Sequence, residues 1–225
     1  SWLSLLFGVV FLVVFFFCVL FPFQLWALGT ILVYETARLY GWIAGTVTLL
    51  IACSDYRKAR SAYEAGEYTK ALHIFEQLSN AGDSQAQYDL SQMYLQGIGT
   101  SKNLEKGWVW MNRAANGGNV QAMLELAVRY QKSPSLENSE QMAFMWFQKA
   151  AMAGSAAGQY NLAHLYEDGN QTPVDLTQAY VWMVLSHNSG NPMAASEAKQ
   201  LKMKLSPAEL DKADAMISKL KKALP

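Results

Sequence analysis

The chain has 225 residues, 52% of them hydrophobic, and its 18 basic and 18 acidic side chains leave a formal net charge of zero. With no long basic or acidic run, electrostatics give no reason to expect nucleic acid as a partner. Both cysteines, Cys18 and Cys53, lie in the apolar N-terminal part, so the remainder can form no internal disulfide, offers no thiolate to a metal, and has to be stabilised by packing.

The first predicted element is a hydrophobic segment over 1–34. No charged residue occurs from Trp2 to Tyr34, and Leu6 to Leu28 alone exceeds the roughly 20 apolar residues that a helix needs to cross a bilayer. The second element, over 35–53, is shorter. Glu35 and Arg38 lead into an apolar stretch that runs from Leu39 and ends in Leu50-Ile51-Ala52-Cys53-Ser54. A positive residue, a short apolar run and a small-residue end make the pattern of a secretory signal, and this ending resembles a bacterial lipoprotein signal. The resemblance implies lipidation of Cys53, export, and a periplasmic domain after it. It also implies a start near Val33 or an extension of the gene upstream, because such a signal begins its protein. The competing reading is a membrane hairpin, with Leu6 to Leu28 crossing and Tyr40 to Ala52 returning. Arg57, Lys58 and Arg60 follow at once, and the positive-inside rule would put that cluster in the cytoplasm. Export is the stronger expectation, since Cys53 stands where apolar sequence gives way to repeats.

From residue 54 onward the chain repeats itself every 36 residues. Gly82, Gly118, Gly154 and Gly190 keep that spacing, followed in step by Ala86, Ala122, Gly158 and Ala194, by Leu90, Leu126 and Leu162, and by Tyr94, Tyr130 and Tyr166. A second set shares the phase: Ala71, Gly107, Ala143 and Ala179, then Trp110, Trp146 and Trp182. Ala86, Leu90 and Tyr94 fall at i, i+4, i+8 and form one stripe of a first helix, A. Gly107, Trp110, Met111 and Ala114 fall at i, i+3, i+4, i+7 and form a second, B. Gly97-Ile98-Gly99 and Gly169-Asn170 close helix A. The second repeat has Gln131-Lys132-Ser133-Pro134 there, so its loop should be shaped differently. The predicted units are a capping hairpin over 54–81, repeats over 82–117, 118–153 and 154–189, and capping helices over 190–225. In the last unit, Ser206-Pro207-Ala208-Glu209 reads as N-cap, N1 proline and capping-box glutamate. Neither helix of a pair can bury its stripe alone, so the pairs must stack.

The stretch from Ala81 to Gly97 and the Trp-Met-Asn-Arg-Ala-Ala-Asn-Gly-Gly that ends at Gly118 look like a Sel1-like repeat, a relative of the tetratricopeptide repeat. The opening Ala62 to Leu72 resembles the half-unit that begins bacterial members. The resemblance spans roughly residues 56 to 205 and implies an all-α, right-handed α/α solenoid that binds a protein or peptide. The implied role is a membrane-tethered scaffold or adaptor in a bacterial envelope complex. The alternative is an adaptor that faces the cytoplasm from a two-helix anchor. Some cysteine-rich Sel1-like proteins are associated with β-lactam binding or hydrolysis, but the paired cysteines of that group are absent here.

No other enzymatic pattern is present, and no cofactor or small-molecule substrate is called for. His73, His164 and His187 stand in no metal or triad spacing, no Gly-rich loop follows a strand, and no serine sits in a nucleophile elbow. The tryptophan column, in phase with small residues, is expected in the core. Function should sit where the phase leaves helix A side chains free: Asp89, Glu125 and Asn161, then Gln92, Val128 and His164 one turn on, with Met93 and Arg129 beside them. On the concave face of a solenoid these would line a polar groove for a partner helix or peptide.

Overall fold

Four glycines at a 36-residue spacing become four copies of one turn. In the computed structural model of the protein, which describes residues 54–136, 138–169 and 173–224, Gly82, Gly118, Gly154 and Gly190 have φ of 95, 93, 81 and 100°. That region is strained for any residue with a Cβ. Each turn is closed the same way, by amide–carbonyl bonds such as Asp83 N to Leu78 O (3.1 Å), Asn119 N to Ala114 O (2.9 Å) and Ser155 N to Ala150 O (3.0 Å). Side-chain oxygens then cap the next helix: Asp83 accepts from the Gln85 and Ala86 amides, Asn119 from Ala122, and Ser155 from Gly158. These caps satisfy amide groups that the first turn of a helix leaves unpaired.

Ten helices result among the described residues. They are α1 (54–64), α2 (Tyr68–Asn80), α3 (Ser84–Gln96), α4 (Leu104–Asn116), α5 (Val120–Lys132), α6 (Ser139–Met152), α7 (Ala156–Asp168), α8 (Leu176–Asn188), α9 (Ala194–Lys204) and α10 (Pro207–Ala223). The A helices are α3, α5, α7 and α9. The B helices are α4, α6, α8 and α10, and α1 and α2 form the leading hairpin. Helices consecutive in sequence pack on one another from α2 to α9, and α10 returns onto α8. The result is an all-α stack of helical hairpins. The chain divides into Ser1–Asp55 and Tyr56–Pro225 by contacts, and the stack belongs to the second unit. The apolar segments 1–34 and 35–53, with Cys53, lie outside the described residues. Among the described residues no helix is long and apolar enough to cross a membrane.

The A-to-B loops differ as their sequences do. In the first and third repeats helix A ends on a left-handed glycine, Gly97 (φ 78°) or Gly169 (φ 70°). Asn103 N then bonds to Tyr94 O (2.8 Å), and Asp175 N to Tyr166 O (3.0 Å). The second repeat ends instead on Ser133 (φ −126°), and its left-handed residue is Asn138 (φ 52°), which makes no side-chain cap.

The core follows the columns. Leu90, Leu126 and Leu162 are fully buried, as are Met111, Phe147 and Met183 on the B helices. Small residues at Ala114, Ala150, Ala143 and Ala179 let neighbouring helices come close. Trp146 and Trp182 are core, 2% and 5% exposed, whereas the expectation for Trp110 is corrected: it is only half-buried. The reason is local. Met142 and Met145 pack on the core in the second repeat, but the corresponding residues of the first are Lys106 and Val109, the latter 47% exposed. A cavity of about 440 Å³ remains over the Trp110 indole, with the Arg113 guanidinium 4.4 Å from its ring centre.

Candidate partner-binding face

Hydrogen bonds from a tyrosine to a carboxylate join α1 to α3, α3 to α5 and α7 to α9. Tyr56 of α1 donates to Asp89 Oδ2 of α3 (2.7 Å), Tyr88 of α3 to Glu125 Oε1 of α5 (2.6 Å), and Tyr160 of α7 to Glu197 Oε1 of α9 (2.6 Å). Further bonds thicken two of these rungs. Gln92 Nε2 donates to Glu125 Oε2 (2.7 Å), His164 Nε2 lies 3.1 Å from Glu197 Oε2, and Lys204 Nζ lies 3.0 Å from Glu167 Oε1.

The acids need these donors because they are partly withdrawn from water. Burial raises the Asp89 pKa, against the pull of its bonds from Tyr56 and Gln85. Burial first, and then the carboxylate partner, raises Tyr56 and Tyr88 far above the usual phenol range. The hydrogen bond to Glu197 is the leading cause for Tyr160. Away from this face, burial and the bond to Glu76 push Tyr94 up to about 12.

The sign of the pH effect follows. The folded protein keeps phenol protons that the unfolded chain releases near pH 10, so the ladder's contribution is complete below that pH and is lost as pH rises through the folded pKa values. Tyr88→Phe is expected to cost about 1 kcal/mol at neutral pH and to make the loss of stability between pH 9 and 11 shallower. Urea midpoints at the two ends of that range measure both, and an unchanged slope would count against the ladder.

Against this geometry the residues expected to be free divide into four groups. Asp89, Glu125, Gln92 and His164 are on the face but already hydrogen-bonded or paired across A helices. Asn161 turns back to the Ala157 carbonyl (2.8 Å). Met93 is corrected: it is 1% exposed, and its equivalents Leu165 and Leu201 are 6% and 2% exposed, so this position of helix A belongs to the core, and Arg129 departs from it. Val128 and Arg129 are half-buried and come together with Glu125 around a hollow of about 430 Å³, completed by Leu124 and by Trp108 of α4. There the Arg129 guanidinium lies 4.0 Å from the centre of a Trp108 ring.

The hollow occurs where the ladder stops. Leu124 stands in the column of Tyr88 and Tyr160, and Asn161 in that of Asp89, Glu125 and Glu197, so both halves of one rung are missing. Trp108, Leu124 and the tyrosines escaped the sequence reading. For Tyr88 and Tyr160 the signal is two columns offset by one residue, a tyrosine followed 37 positions later by an acid, whereas Tyr56 and Asp89 are 33 apart and share neither spacing nor column.

Comparison with known proteins agrees with the geometry. The family model described as the Sel1 repeat matches three consecutive stretches, 84–119, 120–155 and 156–189. A Sel1 repeat protein from Oxalobacter formigenes, of known crystal structure, is similar over 57% of this chain and 97% of its own, with 30% identity and a TM-score of 0.55. A protective antigen of uropathogenic Escherichia coli with an SLR fold is similar over 76% of this chain and 46% of its own, at 22% identity and a TM-score of 0.44. An immunity protein from Pseudomonas aeruginosa is similar over 64% of this chain and 68% of its own, at 18% identity and a TM-score of 0.34. No curated protein matches the chain.

Proposed function

The chain belongs to the Sel1 repeat family, and from that footing we propose that it is a non-enzymatic scaffold whose A-helix face takes a segment of a partner polypeptide at the second repeat. One observation carries the reading: the open apolar hollow of Trp108, Leu124, Val128 and Arg129 interrupts a face that is otherwise joined by side-chain bonds. A repeat protein gains nothing in packing from leaving such a gap, whereas a partner side chain gains a desolvated seat. The proposal includes a tether at the cell envelope, supported by the apolar residues 1–53 and the Leu50-Ile51-Ala52-Cys53 ending. Lipidation at Cys53 would hold the domain in the periplasm, and the Arg57, Lys58 and Arg60 cluster supports the rival two-helix anchor with a cytoplasmic domain.

Photocrosslinking of the full chain in its host tests this. A benzoylphenylalanine at Val128 is expected to give a discrete polypeptide adduct that the same group at Lys219 of α10 does not, and that a second change, Leu124→Tyr, suppresses. Equal adducts at both positions would sink the proposal. Intact mass from the same membranes reports the tether: a chain starting at diacylglyceryl-modified Cys53 supports export, and retention of residues 1–52 supports the two-helix anchor.

A further inference from the structure

Building on the reading that the hollow receives a polypeptide, we propose that the segment it receives carries a carboxylate beside a large apolar side chain. Arg129 takes the carboxylate, and Leu124, Val128 and Trp108 seat the apolar group.

The argument rests on comparing the protein with itself. Stacked repeats place equivalent residues in equivalent surroundings, so a residue type that recurs at one position is what packing there favours. Three positions around the hollow break their own columns, all in the second repeat. Arg129 stands where the other A helices have Met93, Leu165 and Leu201, which are 1%, 6% and 2% exposed. Val128 stands where they have Gln92, His164 and Gln200, and Leu124 where they have Tyr88, Tyr160 and Ser196. The substitutions run in opposite directions: a charge enters the aliphatic column, and aliphatic groups enter the two polar ones. Random drift toward a more or less polar surface would not exchange the characters in this way, within one helix and around one hollow.

The charges fix what fits. The Arg129 guanidinium stacks on Trp108 at 4.0 Å from the ring centre, which occupies its flat face and leaves its N–H edge free. That edge is a planar fork matched to the two oxygens of a carboxylate. Among the described residues no carboxylate lies within ion-pair reach of it. Glu125, one turn earlier, is committed, with one oxygen accepting from Tyr88 and the other from Gln92. The hollow thus presents an unmatched cation on an aromatic plate, keeps its own anion occupied, and sets both against an apolar wall. A carboxylate within one or two residues of a large apolar side chain complements all three. Its source is an Asp or Glu side chain or the C-terminus of the partner chain.

The test is a synthetic peptide array, made in C-terminal acid and C-terminal amide forms and probed with the full chain in detergent micelles. Bound peptides are expected to place Asp, Glu or a free C-terminus next to Leu, Ile, Met, Phe or Trp. Binding confined to the acid forms identifies a C-terminal ligand, and binding of both forms identifies a side-chain carboxylate. Arg129→Met is expected to weaken the best peptide roughly tenfold or more, the scale of one charge-assisted pair, while its thermal midpoint is kept or raised, since methionine is what α3 carries at this place. Leu124→Tyr with Val128→Gln, which restores the neighbouring repeats' residues, is expected to abolish binding. If Arg129→Met binds as wild type, or if bound peptides lack acids, the carboxylate inference falls. Should the Leu124→Tyr, Val128→Gln variant still lose binding in that case, the hollow stands as a polypeptide site. If that variant binds undiminished, the functional reading itself falls.

Discussion

Phe147→Ala is expected to destabilise the helical stack by about 3–5 kcal/mol, the usual cost of emptying a fully buried phenylalanine site. Phe147 is 0% exposed and lies in the B-helix column between Met111 and Met183, which are equally buried. The helices around it are held by caps and turns that limit how far they can collapse into the void. Because stability in a stack of repeats is passed between nearest neighbours, the loss should be uneven. Amide exchange is expected to accelerate most in α5 to α8 and least in α2, and urea unfolding should begin in the second and third repeats. A fall of less than about 1 kcal/mol would mean that the core repacks far more freely than close-packed interiors do.

The second large effect is expected at Gly158, where intuition from the neighbouring repeats points the wrong way. The equivalent residues are Ala86, Ala122 and Ala194, all fully buried, and alanine is favoured over glycine inside a helix by about 1 kcal/mol. Gly158→Ala should therefore look harmless. In this repeat, however, α7 lies so close to α6 that an added Cβ would come within 2.7 Å of the Ala151 amide nitrogen and 2.9 Å of the Ala150 carbonyl carbon. Those are backbone atoms and cannot swing aside, so the overpacking cost, about 1–3 kcal/mol, is expected to exceed the propensity gain. Chemical denaturation of Gly158→Ala beside Ala122→Gly decides it. Both should lose stability, and a stabilised Gly158→Ala would show that the two helices can separate at little cost.

Much of the fold was legible because it is written more than once. Four glycines, the Ala and Leu columns and the capping box at Ser206 each name one local geometry, and the helices begin and end close to where those signals stand. What was not legible depended on departures from the repeat. Helical phase sets Met93 beside Gln92 on the open face, although its column is aliphatic in Leu165 and Leu201. Arg129 hid that pattern. Trp110 was grouped with Trp146 and Trp182 by column, and only the structure shows that Lys106 and Val109 leave it partly uncovered. The ladder links position n to n+37 at Tyr88 and Tyr160 and to n+33 at Tyr56, Gln92 and His164, and columns compared only at 36 never bring the two ends together. For the candidate face, the sequence supplied Glu125, Val128 and Arg129 but not the tryptophan and leucine that turn them into a hollow.

The missing rung also has a mechanical meaning. On the A face, tyrosine–acid bonds lash α1 to α3 and α3 to α5, and again α7 to α9. No such lashing is found between α5 and α7 among the described residues. Under a bending load the stack therefore behaves as two stiffened blocks in series with one compliant joint between α5 and α7, and the hollow lies on the α5 side of it, lined by α4 and α5. A partner seated in the hollow that also reached α7 would act as a strut across that joint, so that its binding would be read as rigidity at either end of the spring.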